Sequence, residues 1–174
     1  MDGYLDLSEV KTVRVLPGEI ERFRLYPGDV LLTEGGDFDK VGRGTVLNGE
    51  IDPCLHQNHV FRVRVNRDFL TLEFFSLVTG SFYGKRYFLY CSKQTTNLAS
   101  INSSQVKVFP VPVPTLPEQN RIISVIHQHD LDVNLLVDEL QKLNYLKHGL
   151  MQDLLTGQVR VNKVVKGHKY VSKQ

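Results

Sequence analysis

Two arginines, one residue apart, are the first hint of chemistry in this chain. In His59-Val-Phe-Arg-Val-Arg-Val65, Phe61, Val63 and Val65 fall on one side of an extended backbone, and Arg62 and Arg64 on the other. Such a strand predicts an apolar underside and a basic outer face. More bases follow at Lys85, Arg86 and Lys93. Arg43 stands between the glycines of Val41-Gly-Arg-Gly44, a spacing that asks for a tight backbone path exposing the base. Amide and hydroxyl side chains accompany these bases at Gln57, Asn58, Gln94, Thr95 and Asn97. Cations of this kind neutralise phosphates, and amides carry the donor–acceptor pairs that base edges require. Arg43, Gln57, Asn58, Arg62, Arg64, Lys85, Arg86, Lys93, Gln94 and Thr95 are therefore the candidate DNA-binding residues. A solvated face without a ligand accounts for the same charges equally well.

Catalytic patterns are missing. The chain has no phosphate-cradling P-loop, no glycine-rich dinucleotide turn and no zinc spacing. Nor does it carry the Asn/Asp-Pro-Pro-Tyr type loop of adenine methyltransferases. His56 and His59 lie three apart beside Cys54, but a polar loop running into a strand explains them better than a metal does. No catalytic residue, metal site or cofactor site is assigned. Cys54 and Cys91 read as small hydrophobes in a reducing compartment, with nothing to support a disulfide.

The elements that must position these residues follow from pattern. Residues 1–114 read mostly as strand. Leu16-Pro17-Gly18 and Tyr26-Pro27-Gly28 are turn signals, and Asp29–Thr33 is a short buried strand ended by Gly35-Gly36. Asp68–Thr79 fits a helix capped by Asp68, with Gly80 just past its end. Ser81–Tyr90 is aromatic and basic, Asn102 caps a single helical turn through Val106, and Val108–Pro114 is a stiff extended strap.

Residues 115–157 then form a long helix. Thr115 and Glu118 have the spacing of a capping box, Pro117 suits the first turn, and Gly157 follows the last apolar pair, Leu154 and Leu155. Ile122, Ile126, His129, Val133, Leu136, Leu140, Leu143, Lys147, Leu150 and Leu154 recur at spacings of four and three, the a/d seam of a coiled coil. His129 and Lys147 interrupt that seam, as polar residues that fix register do. Ile123, Val137 and Met151 at e, with Val125 and Leu146 at g, add an apolar flank. Forty residues give a rod of about 60 Å, longer than the preceding domain can cover, so the seam is predicted to dimerise. The alternative is a helix packed wholly on its own domain.

The net charge of +2 conceals an uneven distribution. Residues 58–116 hold seven bases against two acids, the helix three bases against six acids, and the tail, residues 158–174, five bases and no acid. No apolar run is long enough to span a bilayer and Met1–Val10 is not a signal peptide, so a cytoplasmic protein without a membrane is expected.

Two stretches carry a family resemblance. VPVPTLPEQNRI, followed by the helix that ends LKHGLMQDLLTGQVRV, resembles the conserved spacer of type I restriction–modification specificity (S) subunits. PGDVLLTEGG, VGR, QNHVFRVRV and INSSQVKVFPVPVP are similar to marks of that family's target recognition domain. The resemblance implies a half-subunit: one recognition domain and one helix, where family members usually hold two of each with the helices antiparallel. It implies an α+β fold, a mainly β recognition domain followed by a long C-terminal coiled-coil helix. It further implies a non-catalytic subunit that directs methyltransferase (M) and nuclease subunits to a bipartite site on double-stranded DNA. Pairing would be with an identical chain or another S half. S-adenosylmethionine, ATP and Mg would be needed only by the partner subunits. The competing expectation is a coiled-coil protein-assembly module, including a truncated remnant that does not bind DNA.

Overall fold

The computed structural model describes residues 5–161 other than Asn58. The chain runs through α1 (Pro17–Phe23), β1 (Arg24–Leu25), β2 (Val30–Thr33), β3 (Gly35–Gly36), β4 (Gly44–Val46), β5 (Cys54–Leu55) and β6 (Val60–Val63). It continues through α2 (Leu72–Gly80), α3 (Phe82–Cys91), β7 (Lys93–Gln94), β8 (Ala99–Ser100), α4 (Ser103–Lys107) and α5 (Leu116–Leu155). The fold is α+β, with short antiparallel strands and then the long helix. The strands form three small sheets, ordered β4-β2-β6, β3-β8-β7 and β1-β5. Two compact units result, one through Ser124 and one from Val125 onward.

Local sequence explains most of the first unit. Pro27 and Gly28 make the turn into β2: Gly28 has φ +90°, which Gly adopts at no steric cost, and the Asp29 N–H donates to the Tyr26 carbonyl at 3.0 Å. Val30 and Leu32 alternate inward and are fully buried, and β2 pairs Leu31 with Arg62 and Leu32 with Phe61. Phe74, Phe75 and Val78 of α2, Phe88 of α3, Ala99, Ile101 and Phe109 complete the core, and Phe61, Val63 and Val65 pack against it as the alternation predicts. Gly42 approaches this core closely. With φ +69° and a hypothetical Cβ 2.3 Å from the Phe88 ring, it admits no side chain.

Three elements differ from expectation. Pro17 opens helix α1 rather than a turn, because Pro is pre-organised for a first helical position. Asp68 lies in a turn, its N–H bonded to Asn66 Oδ1 at 3.0 Å; α2 begins after Thr71, whose hydroxyl caps Phe74 N–H at 3.3 Å, and Gly80 is its last residue. The aromatic and basic stretch forms a further helix, α3, capped by Ser81. Gly84 makes the α2–α3 corner: a Cβ there would sit 2.4 Å from the Thr79 and Val78 carbonyls. Asn102 does cap α4, and Gln105 returns the bond to the Asn102 N–H at 2.8 Å.

Helix α5 starts inside the first unit, where Ile122 and Ile123 pack against the core. Gly157, at φ +76°, ends it in the left-handed conformation.

Candidate nucleic-acid interface

The Arg62/Arg64 pair lies opposite the core, yet neither side chain is free. Arg64 donates to the buried Asp29 carboxylate through Nε at 2.5 Å and Nη2 at 3.0 Å. Arg62 donates to the Arg24 carbonyl at 2.6 Å, tying β6 to β1. On that outer face Arg64 is exposed and Arg62 half-buried, and Asp29 and the β1 backbone lie within their reach and hold them. Tyr26 receives two cations, Arg24 and Arg64, each 5.3 Å from the ring centroid.

Asp29 makes this network sensitive to acid. Burial pushes its carboxyl up. The Arg64 hydrogen bonds, the Tyr26 N–H and the charges of Arg64 and Arg62 outweigh burial and hold it below the ordinary carboxylate range. A depressed folded-state pKa contributes stability above the unfolded value, about 3.9, and that stability is lost as pH falls further. Thermal unfolding between pH 3 and 7 is expected to lose stability below about pH 4, less so in Asp29→Asn. At pH 7, Arg64→Ala strands a buried carboxylate and is expected to cost about 3 kcal/mol, read by urea unfolding. An Arg64→Ala variant as stable as the parent would show that the pair carries no structural role.

The other candidates divide between two places. Gln57 is exposed just after β5, near the first cluster in the chain's order. His56 Nδ1 donates to the Val60 carbonyl at 3.2 Å and His59 Nδ1 faces Glu34 Oε2 at 3.0 Å, so both histidines serve local structure. Among the described residues no three His, Cys, Asp or Glu side chains group to hold a metal. Cys54 and Cys91 are free and half-buried, and burial pushes both thiols up.

The β3-β8-β7 sheet forms the second place. It sets Lys93–Gln94 beside Ala99–Ser100, which in turn pairs with Gly35–Gly36. Lys93, Gln94, Thr95 and Asn97 are exposed there. Arg43, near β3 in sequence, follows the expected tight path but is half-buried and bonds Asp39 at 3.2 Å. On α3, Lys85 is half-buried and Arg86 is exposed. Asn58 lies outside the described residues, as does the tail from residue 162.

Several placements escaped the sequence reading. Phe82 and Tyr90, 79% and 89% exposed, sit four residues either side of Arg86, so α3 turns an aromatic–cation–aromatic stripe outward. Gly84 and Phe88 face the opposite way, into the core. Arg67 is exposed and its guanidinium covers the Gly28 α-carbon, where a Cβ would meet Nη2 at 2.3 Å. With Tyr26, Arg64 and Leu72 it lines an open cavity of about 410 Å³. Gln119 is fully buried at the start of α5. Its Nε2 donates to the Phe69 and Pro114 carbonyls at 2.7 and 2.8 Å, and its Oε1 accepts the Thr71 N–H at 2.9 Å. The available signal was its place three residues before Ile122, one step back along the seam.

Along α5 the predicted seam is exposed within this single chain. Val133, Leu136, Leu140, Leu143 and Leu150 are each 46–65% exposed, and His129 and Lys147 are exposed among them. Ile122 is used at home against the core; Ile126 and Leu154 are half-buried. No helix among the described residues is long and apolar enough to cross a membrane.

The chain is 26% identical over 166 residues to the putative type I restriction enzyme MjaX specificity subunit of Methanocaldococcus jannaschii, covering 95% of this chain and 39% of that protein. It is 25% identical over 132 residues to the type I restriction enzyme EcoKI specificity subunit of Escherichia coli K12, covering 72% of this chain and 27% of that one. The chain spans less than half the length of either relative. Residues 3–145, which include the whole head and most of α5, match the type I restriction modification DNA specificity domain, and the chain belongs to that family.

Proposed function

We propose that this chain is the address-reading half of a type I restriction–modification complex. Its head reads one part of a bipartite site on double-stranded DNA, and α5 pairs with the helix of a second half. The assembly directs methyltransferase and nuclease subunits in the cytoplasm. The chain performs no catalysis and needs no cofactor of its own; S-adenosylmethionine, ATP and Mg belong with the partner subunits. The observation that carries this reading is the exposed seam from Val133 to Leu150 in a chain whose family is a DNA specificity domain. On the head, Arg86, Lys93, Gln94 and Thr95 are the exposed side chains best placed for DNA, with the α3 stripe beside them in sequence.

One observation favours a second reading, an assembly module whose head binds protein. Arg43, Arg62 and Arg64 all bond to other groups of the head, Arg64 while still exposed, which leaves fewer cations for phosphates. Binding to a random-sequence duplex of about three helical turns separates the two. As a DNA reader, the chain loses affinity linearly in log salt, with a slope of about −0.9 per phosphate neutralised. Arg86→Ala is expected to reduce that slope by about one while leaving the thermal midpoint unchanged. Affinity that ignores salt between 50 and 300 mM would favour the assembly module.

A further inference from the structure

Arg67 is a placed arginine without a partner. Its neighbours all hold something: Arg24 donates to Asp52 at 3.0 Å, Arg62 to the Arg24 carbonyl, and Arg64 to Asp29. Arg67 makes no hydrogen bond or ion pair with any described residue. Its guanidinium nonetheless rests against the Gly28 α-carbon, where a Cβ would meet Arg67 Cζ at 3.5 Å and Leu72 Cδ1 at 3.1 Å. Two turns hold this arrangement. Asn66 Oδ1 accepts the Asp68 N–H at 3.0 Å and the Asn66 carbonyl accepts the Phe69 N–H at 3.2 Å, which fixes the backbone around Arg67. Asp29 Oδ2 accepts the Tyr26 N–H at 2.9 Å, which fixes the turn at Gly28. Ordering an arginine costs side-chain entropy, and a guanidinium set in place with its donors unused is pre-organised for an acceptor from outside.

The cavity of about 410 Å³ that Arg67 borders indicates which acceptor. Arg64 lines it as well. Its Nε and Nη2 bond Asp29, and its Nη1 has no partner among the described residues. Asp29 is the one acid of the lining among those residues, and Arg64 and the Tyr26 N–H take both its oxygens. Two guanidiniums against one satisfied carboxylate leave a net cation with spare N–H donors. Guanidinium forks match the oxygens of carboxylates and phosphates, and in a DNA specificity domain phosphate is the acceptor at hand. Pro27, Val65 and Leu72 make the rest of the lining apolar, and the volume leaves room beyond a phosphate for the carbons of a sugar. We propose that this cavity is a sugar–phosphate subsite, in which Arg67 clamps the phosphate and Arg64 Nη1 adds a second donor. Two sources supply that chemistry, the backbone of duplex DNA and a free nucleotide. The first rests on the DNA reading proposed above.

Two titrations of the full chain separate the sources. Arg67→Gln removes the charge and is expected to leave the thermal midpoint unchanged, because Arg67 holds no described residue; Arg67→Lys keeps the charge without the fork. Arg64 is left intact, since Asp29 depends on it. If the source is the DNA backbone, Arg67→Gln lowers the log–log salt slope for a random-sequence duplex by about one, and Arg67→Lys restores most of it. If the source is a free nucleotide, thymidine 5′-monophosphate at constant ionic strength gives saturating NMR shifts of the Gly28 and Leu72 amides. Thymidine without the phosphate does not give them, and Arg67→Gln weakens the binding by about tenfold, the loss of one charge-assisted hydrogen bond. Either result supports the subsite and names its source. An unchanged duplex slope in Arg67→Gln, together with no saturating shift from the nucleotide, overturns the subsite and leaves the DNA reading standing. A parent chain whose duplex affinity ignores salt overturns the DNA reading, and the nucleotide titration alone then decides the subsite.

Discussion

Replacing Gln119 by alanine is expected to lower the thermal unfolding midpoint of the head by on the order of 10 °C. The side chain is fully buried, and all three of its hydrogen bonds reach backbone groups: two carbonyls and one N–H. Alanine leaves those three groups without partners in a space that water enters poorly. Each unsatisfied buried group costs about 1–3 kcal/mol, so the three together cost about 3 kcal/mol or more. For a domain of this size that corresponds to about 10 °C or more. Gln119→Glu is expected to be at least as damaging. A carboxylate keeps the acceptor for Thr71 N–H but sets an oxygen against the Phe69 and Pro114 carbonyls, and burial of its charge adds a further penalty. Differential scanning calorimetry of the two variants decides the matter. A midpoint within 2 °C of the parent in Gln119→Ala would mean that the latch is solvated and contributes little.

This latch marks the boundary of what the sequence could disclose. Periodicity depends only on which residues are apolar, so β2, the β6 alternation and α5 were legible: Val30 and Leu32 are buried, Phe61, Val63 and Val65 meet the core, and Leu116–Leu155 is one helix. Turn chemistry was legible where it is local, at Tyr26-Pro27-Gly28 and Asn102. The α2 start was misplaced because Asp68 and Thr71 are both good caps, and only the burial of Phe74, Phe75 and Val78 decides between them. The candidate site was less legible for the same reason. Alternation places Arg62 and Arg64 opposite the core, but whether a guanidinium stays free depends on what folds over it from elsewhere. Asp29 lies 35 residues from Arg64, and no spacing rule joins them. Gln119 reaches 50 residues back to Phe69. The outward stripe of α3 was hidden because Ser81–Tyr90 had no clear period: aromatic residues lie on both sides of that helix, Phe88 within and Phe82 and Tyr90 without.

On the pairing proposed for α5, Leu140→Asp is expected to leave the protein monomeric at micromolar concentration. Leu140 is 58% exposed in the single chain and lies between Leu136 and Leu143, 65% and 55% exposed, at the middle of the seam. Covering a leucine of this kind contributes about 1.5–3 kcal/mol, and a carboxylate in its place must either be desolvated or take up a proton. In a symmetric pair the change enters twice. A combined loss of about 4 kcal/mol weakens the dimer by about a thousandfold. Sedimentation equilibrium at about ten micromolar, a concentration at which a pair of ordinary affinity is populated, should show the mass fall by half. Tyr145→Asp is the matched control. Tyr145 is 78% exposed and occupies the f position, on the side of the helix away from the seam, so the same charge there should leave the mass unchanged. Leu140→Asp should keep the parent's helical signal if the helix forms regardless of pairing, and should lose it, while Tyr145→Asp keeps it, if α5 needs its mate to stay folded. An unchanged mass in Leu140→Asp would mean that the a/d residues face no partner. The exposed leucines would then belong to contacts with another protein, and the head would have to read DNA alone.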